Sequence, residues 1–469
     1  MRSAIAILIN PTINFQFNNI SIHIDRTLNI TMDRQSKNKL HTLHQKLKKW
    51  YRWMLLFVLS LSIILTAWIA IAQQPVVLNT LILAPDVKDL RAGMFQDFEK
   101  ENPGIRINVI EGPNAANLVE DLYSSAFLLG ESPYDLVLLD IVWTPKFAAA
   151  GWLLDLQNRV SPEELKAFTV QDIEAGRYRD GFYRIPIRSD VGIFYYREDL
   201  LKAAGLKPPE TFQDLIQTSQ TLQKQDKVDW GYVWQGRQYE GLSAMFVEVL
   251  EGYGGFWVNS DTQEVGLDKP EAIQAVQFLR STIEKGISPP GVTTYIEEDT
   301  RRLFQSGQVA FLRNWPYVLP LVNEEGSQLR NRVAIKPMVH APGETSGACL
   351  GGWGFGISSN STHKEEAWKA LQYFMSREAQ KRFILGSGYV PSRKELFTDP
   401  DVVAKYPYFP ELLEIAEKAV LRPAIPQYAQ ASDILQRYLS AALSNRMSPE
   451  QAMEAAANET RTLLGRNQA

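Results

Sequence analysis

The run MLLFVLSLSIILTAWIAIA (54–72) carries no charge and directly follows KLKKWYRW (46–53), which supplies Lys46, Lys48, Lys49 and Arg52. A stretch this apolar cannot sit on the surface of a water-soluble domain, so it divides the chain before any other feature is considered. A basic segment, an apolar run and Ala70-Ile71-Ala72 ahead of Gln73 make a secretory signal with a small-residue cleavage site. Left uncut, the same run is long enough to anchor the chain in a bilayer. No cysteine stands directly after it, which argues against a lipid anchor. The sequence therefore predicts export to the periplasm or another extracytoplasmic space. Residues 1–53 read as a cytoplasmic extension ending in the basic region, and Met32 is an alternative start.

The chain has 469 residues, too many for one ordinary core and enough for two domains. A formal net charge of -4 argues against a general nucleic-acid binder, and no nucleic-acid partner is expected. The single cysteine, Cys349, excludes disulfides within the chain and reads as a small buried residue. After the signal, VVLNTLILAP (76–85) predicts a buried strand and VKDLRAGMFQDFEKENPG (87–104) a helix stopped by Pro103-Gly104. IRINVIEG (105–112) and YDLVLLD (134–140) predict strands around a helix near 114–128. This alternation predicts an α/β fold with a largely parallel sheet covered on both faces.

FYRIPIRSDVGIFYYRED (182–199) reads as two strands meeting at Ser189-Asp190. KPEAIQAVQFLRSTIEKG (269–286) reads as a helix with Pro270 in its first turn and Ile273, Val276, Leu279 and Ile283 on one face. Thr362-His363-Lys364-Glu365 has the pattern of a capping box ahead of a helix burying Trp368, Leu371 and Phe374. Two α/β lobes result, with the chain crossing between them more than once. One holds 76–188 and about 351–392, the other about 189–350 and 393–469.

Catalytic motifs are scarce. Of five histidines only His340 and His363 lie beyond the signal, too few for a triad or a metal cluster. There is no H-E-x-x-H, G-x-S-x-G or G-x-x-x-x-G-K-[ST], so neither metal nor cofactor is expected. Asp140 at a strand end, Asp190 between two strands and Glu240 after WQGRQY could pair as the acid and base of a glycosidase. Carboxylates in such places more often serve as hydrogen-bond acceptors.

Aromatic residues stand beside these acceptors. Trp143 follows Asp140, Trp230, Tyr232, Trp234 and Tyr239 lie in WGYVWQGRQYEG (230–241), and Trp315 and Tyr317 flank Pro316. Trp353 sits inside ACLGGWGFGISSN, among Gly351, Gly352, Gly354 and Gly356. Glycines at this density could cradle a phosphate or present a ring to a pocket. A dinucleotide cradle opens directly into a helix, whereas GFGISS continues as a strand and the helix begins only near Thr362. Flat rings flanked by acceptors suit the apolar faces and hydroxyl rim of a sugar.

At these residues the chain resembles the extracellular solute-binding proteins of ABC sugar importers, of the maltose-binding type and its trehalose/maltose branch. YDLVLLDIVWTPKFAAAGWLLDL, IPIRSDVGIFYYREDLL, WGYVWQGRQYEGL, RNWPYV, GGWGFGISSNSTHKEEAWKALQYF and RPAIPQYAQASDILQ carry the likeness, in the family's order. The resemblance implies a two-lobed periplasmic-binding-protein fold (type II) with its ligand cleft between the lobes. It also implies a monomer that is no enzyme and hands a di- or oligosaccharide to the transmembrane permease. Carried over residue by residue, it makes Asp140 and Asp190 hydroxyl acceptors and Trp315 and Tyr317 aromatic platforms. Gly352 and Trp353 become a glycine-tryptophan ligand loop, and Tyr239 and Glu240 are further ligand-binding candidates. APDVKD (84–89) departs from the family's early acidic ligand, leaving Asp86 in its place, and the departure points to sucrose or glucosylglycerol as alternatives to trehalose or maltose. Two rival readings are an exported glycoside hydrolase or lyase using the paired carboxylates, and a sensor subunit.

Overall fold

The computed structural model describes residues 33–72, 75–130 and 132–465, and of 36, 37, 40 and 64–72 the backbone alone. The alternative start at Met32 and the cleavage junction at Gln73 lie outside the described residues. Arg34–Ala72 is one continuous helix, a unit separate from residues 75–469. Trp50, Trp53 and Phe57 are exposed on it. Among the described residues no helix is long and apolar enough to cross a membrane. The side chains of the second half of the uncharged run are not among them.

The second unit is two-lobed, each lobe built on one sheet. Its strands are β1 (Val76–Leu83), β2 (Ile105–Gly112), β3 (Leu136–Asp140), the two-residue β4 (Arg177–Tyr178) and β5 (Gly181–Phe182), β6 (Ile185–Val191), β7 (Ile193–Arg197), β8 (Trp230–Val233), β9 (Val309–Asn314), β10 (Val333–Lys336) and β11 (Leu350–Ile357). The first sheet runs β2-β1-β3-β11-β6 and the second β10-β7-β9-β8. β1 is parallel to β2 and β3, but β11 is antiparallel to both of its neighbours. The largely parallel sheet expected from strand-helix alternation is therefore corrected to a mixed one. β11 returns from the other sheet, so no crossover helix sets its direction.

Helices cover the first sheet. Phe95, Phe98, Phe355 and Phe374 form one aromatic cluster between β11 and the helices at 84–101 and 364–374. The helix expected over 87–104 begins earlier, at Ala84, and is interrupted by a wider π turn at Arg91–Phe95. The capping box expected at Thr362 does not form. The helix starts at Lys364 with His363 as an uncapped N-terminus, and Glu365 instead pairs with Arg159 at 2.6 Å. In the helix Pro270–Glu284, Val276 and Leu279 are buried as expected while Ile273 and Ile283 are half-buried, with Ala272, Ala275 and Phe278 completing the face.

The chain passes between the sheets at three adjacent places. Gly192 joins β6 to β7, Cys349 precedes β11, and Val420 lies beside it. Gly192 N–H donates to Cys349 O (2.9 Å), Leu350 N–H to Val420 O (2.8 Å) and Val420 N–H to Ala348 O (2.8 Å). The helix Phe409–Glu417 packs on β6, and the last passage comes after it. The helices Tyr428–Leu443 and Pro449–Gly465 then pack on Pro270–Glu284 beside the second sheet. Cys349 is buried, as its sequence context suggests.

Candidate functional site

Strand pairing lines up the first group of residues. In β3, β11 and β6 the register sets Asp140 opposite Trp353 and Trp353 opposite Arg188, with Asp190 opposite Gly351. Residues directly opposite in an antiparallel pair share a face, so these four side chains rise from one side of the sheet. The stretch read as a glycine-tryptophan loop is thus corrected to a central, fully buried strand. Gly352 alternates to the other face, at a φ of +144° that other residues avoid, and a side chain there would meet Arg188 O at 2.9 Å. Gly351 has a different task. A Cβ on it would lie 3.1 Å from the Trp315 ring and 3.2 Å from Asp190 Cβ, so its bare Cα lets Trp315 of the other lobe come down onto β11.

Around Trp353 and Asp190 the charges are paired and buried. Arg188 donates to Asp86 (3.0 Å), Tyr389 O–H donates to the other Asp86 oxygen (3.1 Å), and Arg188 lies 3.9 Å from Asp190. The same guanidinium sits over the Tyr389 ring at 4.0 Å and the Trp353 ring at 5.9 Å. Burial pushes the Asp190 carboxyl up to about 7; Arg188 opposes this, while Asp86, Asp172 and Asp140 add to it. Trp353 is only 9% exposed, and Trp143 meets it edge-on with centroids 5.4 Å apart.

Arg422 ties the lobes together. It donates to Asp140 at 3.4 Å and to Glu240 at 2.6 Å. Glu240 opens the helix Glu240–Gly252, where the helix dipole favours a negative charge, and it also accepts from Tyr428 O–H and from Ser432 (2.6 Å). Arg422 Nε is buried and lacks a hydrogen-bond partner. A buried guanidinium N–H facing no acceptor suits a ligand oxygen. Sequence reading passed over this arginine. Its signal was its place in RPAIPQ, a charged residue in a proline-broken link between helices.

The second lobe supplies the rings. Trp315 Nε1 donates to Glu297 (3.3 Å), to which Tyr239 O–H also donates (2.7 Å), and Tyr317 O–H donates to Glu298 (2.8 Å). Glu297 and Glu298 were not singled out in the sequence; they orient three residues that were. Behind Trp315, Arg313 stacks at 4.1 Å and pairs with Glu248 at 2.7 Å, both side chains wholly buried. Of the eight expected site residues, Asp140, Glu240, Asp190, Trp315 and Trp353 gather around β11 and Arg422. Tyr239 shares Glu297 with Trp315, while Tyr317 faces a separate cavity of about 1030 Å³.

A family model described as bacterial extracellular solute-binding protein matches residues 84–381. A Deinococcus radiodurans protein named probable ABC transporter-binding protein is 29% identical over 371 residues, 77% of this chain and 88% of that one. A Pyrococcus abyssi maltotriose-binding protein is 23% identical over 323 residues, 68% and 67% of the respective chains. The solved structure of maltose-bound MalE3 from T. maritima superposes with a TM-score of 0.77 at 34% identity, covering 83% of this chain and all of that one (100%).

Proposed function

The chain belongs to the bacterial extracellular solute-binding proteins, and from that premise we propose that it captures a di- or oligosaccharide between its lobes and delivers it to an ABC permease. The observation that carries this reading is the meeting of rings and acceptors from both lobes: Trp353, Asp140 and Asp190 from one, Trp315 and Glu240 from the other, with Arg422 between them. Trp353 and Trp315 would cover the apolar faces of the sugar. The carboxylates would accept its hydroxyl protons, and the unpartnered Arg422 Nε would donate to a hydroxyl oxygen. A ligand touching both lobes stabilises only the arrangement in which both are within reach, so occupancy is reported as closure.

In this proposal the lobes divide at the three passages. One holds 76–191 and 350–419, the other 193–348 and 421–465. The family is extracellular, in keeping with export directed by the N-terminal segment. The protein acts as a binding subunit rather than a hydrolase: Asp140 and Glu240 both already accept from one arginine, an arrangement suited to fixed acceptors. Maltose, trehalose, sucrose and glucosylglycerol are the candidate ligands, and the relatives that bind maltotriose and maltose favour α-linked glucosides.

Isothermal titration with these sugars tests the proposal. One of them binds, and Trp353→Ala weakens it at least about tenfold, or ~1.4 kcal/mol, while the circular dichroism spectrum is unchanged. Hydrolysis of the bound sugar, or unaltered affinity in the variant, would refute it.

A further inference from the structure

Sugar capture leaves the helix Arg34–Ala72, a unit by itself, without a task. Its first half carries Arg34, Lys39, Lys46, Lys48, Lys49 and Arg52, all exposed, and no aspartate or glutamate occurs anywhere along it. A secretory signal accounts for a few positive charges directly ahead of an apolar run. It does not account for cations extending back over about five turns of continuous helix, nor for their arrangement around it. Leu43, Leu47, Trp50, Met54, Phe57 and Leu61 recur at steps of four and three residues and so form one apolar stripe, every member of it exposed. Arg34, Lys48, Lys49 and Arg52 fall on the opposite face, and Lys39 and Lys46 run along one edge of the stripe.

The two faces need different surroundings. Large apolar side chains exposed in a row gain free energy by leaving water. The cations repel one another: Lys48 and Arg52 are four residues apart, and Lys49 lies three residues from both Lys46 and Arg52. With no acidic residue in the helix, no ion pair within it relieves that repulsion. A second copy of the helix would cover the stripe but bring more cations. A duplex nucleic acid would neutralise the cations and leave the stripe in water. A phospholipid surface bearing negative headgroups satisfies both faces, with the stripe in the acyl boundary and the long cationic side chains reaching the headgroups. Trp50 and Trp53, both exposed, are of the residue type that favours this boundary.

We propose that residues 34–54 are a surface-binding helix that lays Leu43, Leu47, Trp50 and Met54 into a membrane and sets its cations against anionic phospholipid headgroups. The chain then has a membrane contact of its own ahead of the uncharged run, and one that depends on lipid charge. The sugar-binding reading stands or falls separately.

Limited trypsin digestion of the full-length protein tests this, because trypsin cuts after lysine and arginine and so reads the basic segment itself. Vesicles of equimolar phosphatidylcholine and phosphatidylglycerol slow cleavage after Lys46, Lys48, Lys49 and Arg52 at least about tenfold. Vesicles of phosphatidylcholine alone do not, and high salt removes the protection. The double variant Leu47→Ser, Trp50→Ser keeps every cation and the whole uncharged run, and it loses the protection. Equal protection by the two kinds of vesicle would mean that the uncharged run alone holds the membrane, and would overturn the proposal. So would protection that survives in the double variant, since the stripe would then play no part. Protection that grows with protein concentration in the absence of vesicles assigns the stripe to a second copy, and equal protection by duplex DNA assigns the cations to nucleic acid; either result also overturns it.

Discussion

Asp190 shows how much one part-buried, desolvated carboxyl can shape stability. Its folded pKa is raised to about 7, against about 3.9 for an unfolded aspartate. Between those values the unfolded chain has released a proton that the folded chain still holds, so stability falls as pH rises through this window. The cost is absent below about pH 4 and complete above about pH 7. Asp190→Asn removes it: the variant and the unaltered protein should melt together near pH 4, and the variant should melt several degrees higher at pH 8. Asp172, which burial pushes up to about 6, slopes in the same direction, so the variant keeps part of the pH dependence. A difference in melting temperature that does not change with pH would show that Asp190 is not the titrating group. Arg422 and Glu297 illustrate the opposite situation at this scale. Neither stood out in the sequence, because their importance lies in which distant groups they reach.

At the scale of elements, β11 is the decisive strand. Its sequence, LGGWGFGI, has too many glycines for strand propensity to favour it. Tertiary packing explains them. A Cβ on Gly354 would lie 2.4 Å from Ile185 O and 2.7 Å from Arg184 Cγ, so β6 and a buried arginine occupy the space. Gly354→Ala is expected to lower stability by about 2–3 kcal/mol, read as a fall in the urea midpoint. Gly104→Ala is the control: nothing lies within 4 Å of its added methyl, and its effect should stay within about 0.5 kcal/mol. The helix beginning at Lys364 makes the complementary point. Its Thr-x-x-Glu pattern is present, yet Glu365 pairs with Arg159, a residue 206 positions away. A local motif lost to a distant partner that the sequence does not show to be near.

For the whole molecule, the link Asp140–Arg422–Glu240 spans the lobes, and Gly192 lies at the passage between them. A Cβ on Gly192 would fall 1.6 Å from Glu248 Oε1, inside the wholly buried Glu248–Arg313 pair. Glu248 also accepts from Cys349 N–H (3.3 Å), so this one pair braces two of the three passages. Gly192→Ala should therefore cost about 3 kcal/mol or more, since disturbing a buried ion pair leaves charge uncompensated. Equilibrium unfolding in guanidinium chloride would measure it. Arg422→Gln should also lower stability, because Asp140 and Glu240 lose their shared cation, and in the folded protein it should loosen closure: without sugar, small-angle X-ray scattering should give a larger radius of gyration than for the unaltered protein. An identical radius would mean that Arg422 does not hold the lobes together.

Periodicity and glycine and proline placement were enough to read most strands and helices, and the α/β class with two lobes. These signals are local, recorded in residues a few positions apart. The ordered motifs also led to Asp140, Asp190, Trp315 and Trp353, because rings and acceptors at strand ends are visible as neighbours in the chain. Only the tertiary structure decided that β11 runs antiparallel in the middle of the first sheet, that Gly352 faces away from Trp353, and that Arg422 joins Asp140 to Glu240 across 282 and 182 positions. Contacts of that span depend on how two sheets are threaded three times by one chain, and no short-range pattern encodes that geometry. The glycines that looked like a loop are the clearest instance: their spacing marked them as exceptional, but only the neighbours pressed against them explain why no side chain fits.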